Sequence, residues 1–292
     1  SGRNLRICAI AASANVDGAG GNATVVTITG GGTVDANQGA SNGFTDYTGK
    51  WIVENSTTLR GLGSGAAAWG SNTSADAILL NGGRLAVGAI SGAAGTPAWS
   101  SPITLGTGFT SSIHGQHSGT GTPEITLQGQ ISGDGNLSIG KVSGTSFITR
   151  VDRGDNLYSG STSIDSGAAG SIAVYAHLGT TAGTKTPFGT GDIFISGSSA
   201  TTAAIELTTN AASTSSTAEF TIDNNFNLNN ATLRTREGLV SFYGPIDLTG
   251  ANVIQGQVDL RHINLYGLID GAGSLTLRSV GTQRIFLPYA NT

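Results

Sequence analysis

The sequence predicts an all-β chain wound as a β-solenoid rather than a closed barrel, and three observations favour it. A fifteen-residue stretch recurs with its identities on alternate positions; short apolar ladders are cut by turn residues throughout; and the composition is rich in glycine and poor in charge.

The composition separates order from disorder. The 292 residues include 46 Gly, no Met, one Cys and 11% charged residues. Average shares are ~7% for Gly and ~25% for charge. Disordered chains combine few aliphatics with high net charge. Here Leu, Ile, Val and Phe number 67 and the net charge is −4, so an ordered chain with a dispersed core is expected. Its six prolines are scattered and no charge-rich linker divides it. One solenoid domain over 1–292 is therefore expected, with irregular, aromatic-richer rungs over 1–120 and clearer repeats over 121–292. A one-dimensional stack escapes the size limit of a single globular core, because each repeat packs only on its neighbours.

The repeat sets the architecture. Ile125-Thr-Leu-Gln-Gly-Gln-Ile-Ser-Gly-Asp-Gly-Asn-Leu-Ser-Ile139 returns as Ile263-Asn-Leu-Tyr-Gly-Leu-Ile-Asp-Gly-Ala-Gly-Ser-Leu-Thr-Leu277. The seven identities fall on every second residue, which is the strand period. Ile125, Leu127, Ile131, Leu137 and Ile139 are thus expected inward, with Gly133 and Gly135 at a corner between two strands. Shorter ladders occur at Ile78-x-Leu80, Leu85-x-Val87, Ile103-x-Leu105, Ile193-x-Ile195, Ile205-x-Leu207, Ile246-x-Leu248 and Val258-x-Leu260. Gly, Asn, Ser or Thr follows most of them, as short strands with turns between require. No helical periodicity is sustained. A sandwich or barrel stays open on this pattern, but the repeat and the Gly corners favour stacked rungs about 4.8 Å apart. At roughly 20–25 residues per turn the chain would make about a dozen rungs.

Residues 125–207 resemble the autotransporter-associated β-strand repeat of bacterial surface passengers. The matching residues are Ile131-Ser-Gly-Asp-Gly-Asn-Leu137, Asp155-Asn-Leu-Tyr-Ser-Gly-Ser-Thr162 with Ile164, and Phe188-Gly-Thr-Gly-Asp-Ile-Phe-Ile195 followed by Gly197; a partial copy runs over 263–292. The resemblance implies a right-handed parallel β-helix, secretion from a bacterial cell, and a surface or adhesive role. It supplies no catalytic residue. The outer-membrane barrel that follows such passengers has no counterpart here.

The two chain ends are expected to complete each other. The partial copy stops at Ala290-Asn-Thr292, and Ser1-Gly-Arg-Asn-Leu-Arg-Ile7 resembles its continuation. Solenoid ends expose unpaired backbone and an open core unless capped. Head-to-tail stacking through Ser1, Gly2, Leu5, Ile7, Phe286, Leu287, Tyr289, Asn291 and Thr292 is one expectation. An excised piece of a longer protein is the other, in keeping with the absence of an initiator Met.

Asp152 and Asp155 flank Arg153, the densest charged spot, and read as a solvated turn rather than a glycosidase pair. Arg153-Gly154-Asp155 matches an integrin tripeptide, as three common residues often do by chance. His114 and His117 supply two imidazoles where zinc requires three or four ligands; His177 and His262 stand singly. Gly133-Asp-Gly-Asn136 lacks the repeated acids of a calcium loop. Asn22, Asn55, Asn72, Asn136 and Asn230 head Asn-x-Ser/Thr triplets, as chance alone predicts in this composition. Trp51, Trp69 and Trp99, with Phe44 and Tyr47, read as packing or interface, with a sugar- or partner-binding face as the alternative. Cys8 stands alone, so no intramolecular disulfide can form. The three Lys and eleven Arg are spread along a chain of pI about 5.5, so no nucleic-acid stripe is expected. No apolar run reaches the ~18 residues of a membrane span.

A non-enzymatic role without cofactor or metal follows: an extracellular or cell-surface structural subunit that polymerises with copies of itself, with other surface or matrix components as further partners. A monomeric adhesin passenger and a carbohydrate-active β-helix enzyme are the alternatives.

Overall fold

The structure, a computed structural model, describes residues 4–8, 25–37, 49–62, 74, 76–88, 98–116, 124–143, 146–166, 171–179, 181–199, 202–208, 219–236, 238–257, 262–279 and 283–288. These residues form 29 short strands and no helix. The strands pair in parallel and stack as a β-solenoid, as the alternating ladders predict. The chain divides into two compact units, Ser1–Thr149 with Leu157–Ser159, and Arg150–Asn156 with Gly160–Thr292.

In the first unit one face stacks Asn4–Cys8, Thr33–Asn37, Thr58–Leu62, Arg84–Gly88, Thr110–Gln116 and Asn136–Ser143. A second stacks Val25–Ile28, Lys50–Glu54, Ile78–Asn81, Ile103–Leu105 and Ile131–Gly133. A third holds Ala98–Trp99 and Glu124–Leu127. Parallel pairing with a crossover between partners turns every second side chain inward, and the register lines these up in columns. Trp51, Ile78, Ile103 and Ile131 make one column, and Val53, Leu80, Leu105 and Gly133 the next. Each apolar member is buried, and each is worth about 1.5–3 kcal/mol of transfer free energy. The described residues before 121, where the sequence holds no clean register, thus build the same ladder.

In the second unit the first face stacks Thr162–Asp165, Ile193–Ser196, Phe226–Asn229, Ile246–Thr249 and Ile269–Asp270. The second stacks Ser171–His177, Ala203–Thr208, Ala231–Thr235, Ala251–Gly256 and Ser274–Arg278. The third stacks Gly183–Thr184, Glu219–Ile222, Leu239–Phe242, His262–Leu265 and Arg284–Phe286. The turns are unequal in length. In the first unit cross-turn side-chain bonds join residues 26 apart, as at Asn55 to Thr29. In the second they join residues 33 apart at Asn225 to Asp192 and 23 apart at Asn264 to Ser241. Buried asparagines tie the corners. Asn224 donates to the carbonyls of Gly189 and Gly191, at 3.1 and 2.7 Å. The Oδ1 of Asn252 accepts from the Ala231 N–H at 3.0 Å.

Both repeat copies form the glycine corner. Gly133 and Gly271 have φ of 98° and 108°, a region that favours glycine. Five inward residues of the first copy are fully buried: Ile125, Leu127, Ile131, Leu137 and Ile139. The resemblance motif also turns its polar members inward: Asn156, Tyr158 and Thr162 are buried, and Asn156 donates to the Pro187 carbonyl at 2.8 Å.

Candidate functional site

Two places gather side chains that neither the core nor the cross-turn ladders use: the last turn of the second unit and the outer side of that unit's second face.

The last turn leaves its core open. Val174, Ile205, Leu233, Ile254 and Leu277 form one inward column. Ile254 is fully buried but Leu277 is 38% exposed. Ile269 and Ile285, partners of the buried Ile246 and Ile263, are half-buried. Beside them a cavity of about 360 Å³ is lined by Leu277, Ser279, Gln283, Arg284, Ile285 and Phe286. Gln283 is buried; its Nε2 donates to Thr235 Oγ1 at 3.4 Å, while its Oε1 has no partner. Phe286 and Leu287, two of the expected interface residues, are 41% and 45% exposed. Phe286 meets the His262 ring edge-on at 5.2 Å.

At the first unit's outer edge, Leu5 and Ile7 lie in Asn4–Cys8 and pair with Val34 and Ala36. Among the described residues that strand and Val25–Ile28 each have a partner on one side alone. Val25 is exposed there. The other expected interface residues, Ser1, Gly2, Tyr289, Asn291 and Thr292, lie outside the described residues.

On the second unit's second face the outward row holds Tyr175, Glu206, Arg234, Gln255 and Arg278 in register. The Arg150 guanidinium lies over the Tyr175 ring, 4.7 Å from its centre. Arg236 Nη1 stands 3.8 Å from Glu206 Oε1. Burial pushes the Glu206 carboxyl above its usual range, against the pull of Arg236, Arg234 and Arg150. The Nε of Arg234 is buried without an acceptor. This strip is absent from the linear reading, because successive members of the row lie 21 to 31 residues apart along unequal turns.

No protein-family model, curated protein or solved structure matches this chain.

The remaining candidates take structural positions. Arg153 grips the Asp155 carboxylate with two bonds of 2.9 and 2.8 Å, which holds Asp155 below the usual carboxylate range. Asp152 instead lies 3.0 Å from His177 Nδ1. The two carboxylates thus have separate partners, and the Arg153 and Asp155 side chains of the tripeptide engage each other. Asp134 accepts from Ser159 Oγ at 2.9 Å, linking two turns. Among the described residues no three His, Cys, Asp or Glu side chains converge as metal ligands. His114 shares a 2.8 Å bond with Ser112 Oγ, and burial, with Arg84 nearby, lowers its pKa to about 4. His117 lies outside the described residues, as do Trp69, Phe44 and Tyr47. Trp51 and Trp99 are buried, which makes them core rather than a sugar platform.

Proposed function

We propose that this chain is a structural β-solenoid subunit of the autotransporter-associated repeat kind. In this reading it coils right-handed over roughly a dozen rungs and stacks head-to-tail with its own copies into an extracellular or cell-surface fibre. The observation that carries the reading is the open last turn. Leu277 is exposed and Ile285 half-buried where their column partners Ile254 and Ile263 are fully buried, Phe286 and Leu287 add exposed apolar surface beside them, and the edges of Ile269–Asp270, Ser274–Arg278 and Arg284–Phe286 have no further strand partner among the described residues. An exposed strand edge templates addition of another strand. The first unit's outer edge, at Asn4–Cys8 and Val25–Ile28, is paired in the same parallel sense, so one copy's first turn can continue another's last. Such a contact is heterologous and generates open filaments. The right hand follows the general preference of parallel crossovers, and the low charge limits repulsion between stacked copies.

Electron microscopy and light scattering across a concentration series test this. Filaments with an axial repeat of about 4.8 Å are expected, together with a monomeric, equally β-rich Leu277→Arg/Phe286→Arg variant. Wild-type chain that stays monomeric at high concentration, or filaments untouched by the double variant, would overturn it.

A further inference from the structure

We propose that the arginine strip on the second face of the second unit binds a linear acidic polysaccharide laid along the coil axis. Four of the chain's eleven arginines, Arg150, Arg234, Arg236 and Arg278, gather there, in a protein whose net charge is −4. Arg234, Gln255 and Arg278 sit in register on successive strands. Their Cα positions therefore place two arginines two strand spacings apart, about 10 Å, with a glutamine between them. Arg236 and Gln257 repeat the pairing one pleat along, the Gln257 N–H bonding the Thr235 carbonyl.

A polymer of acidic sugars, which presents carboxylates or sulfates with hydroxyls between them, meets cation, amide and cation in that order. Guanidinium forks take carboxylate or sulfate with two bonds. Arg236 and Arg278 are exposed to an incoming chain, and Arg234 and Gln255 are half-exposed. Glu206 is the one acid in the row, and it lies buried beneath Arg236.

A nucleic acid fits less well. Its phosphate charge is denser than this strip can match in an acidic protein, and the ring of Tyr175, the row's one aromatic, already carries Arg150. Arg278 shares the edge strand Ser274–Arg278 with Leu277, but the strip lies on the outer side of that face and uses none of the last-turn apolar side chains, so binding does not require head-to-tail assembly.

Binding of the full chain to immobilised polygalacturonate and dextran sulfate at low salt tests the site, with neutral dextran and a single-stranded oligonucleotide as comparison arms. Both acidic polysaccharides are expected to bind, with affinity falling as salt rises. Arg234→Gln/Arg278→Gln should weaken them about tenfold or more, and Arg60→Gln should leave them unchanged. Arg278→Gln alone, at an exposed position, is measured beside the double variant, so that a folding defect in the latter does not decide the result; it should weaken binding by a smaller factor. No binding to either acidic polysaccharide, binding insensitive to both Arg278 variants, equal binding to neutral dextran, or tighter binding to the oligonucleotide would each overturn the proposal.

Discussion

At single positions this fold is governed by what fits between two turns. A Cβ on Gly133 would stand 2.2 Å from the Leu105 carbonyl oxygen, and one on Gly271 would stand 2.3 Å from that of Leu248. Gly108 also has positive φ, but nothing lies within 4 Å of it. Gly133→Ala and Gly271→Ala should therefore each cost about 2 kcal/mol or more, and Gly108→Ala only about 1 kcal/mol for the backbone alone; urea midpoints check the contrast. His114 sets a pH window. Its folded pKa of about 4 lies below the ordinary 6.5, so the unfolded chain takes up the proton first. Stability from this group is present above pH 6.5 and is lost as pH falls from there through 4, by on the order of 3 kcal/mol. An NMR titration of His114 should show the low midpoint, and His114→Gln should flatten the decline. The glycine corner was legible in the sequence because two copies share it. The lowered His114 pKa was not, because it arises from burial beside Arg84, which lies on the neighbouring strand.

Strands here are stabilised by columns, and a column's value depends on whether another turn covers it. Ile254 and Leu277 are register partners in one column, the first fully buried and the second 38% exposed. Ile254→Ala should cost about 2–5 kcal/mol of stability, and Leu277→Ala about 1 kcal/mol or less in the monomer. Denaturant unfolding at low concentration measures both. If copies stack, the Leu277 penalty grows with concentration because its column is then continued. The alternation of Ile, Leu and Val showed which side chains turn inward. Column partners were hidden, since turns of unequal length break any fixed period. The same inequality hid the arginine strip: Arg234, Gln255 and Arg278 become neighbours only once the intervening corners are closed.

For the molecule as a whole, the open turn and the arginine strip answer differently to solvent. Apolar ends are strengthened by excluded salts, whereas a guanidinium strip is screened. Fibre growth should therefore persist at salt concentrations that release an acidic polysaccharide, and parallel light-scattering and binding measurements would show the two curves separating. The sequence by itself determined the all-β class, the glycine corners and the inward residues and favoured a coil, because side-chain period and turn chemistry are local properties of the chain. Tertiary structure alone decided which residues stack on which, where the core is left open, and which charges meet, because in a coil of uneven turns neighbours across the ladder are set by how each loop closes.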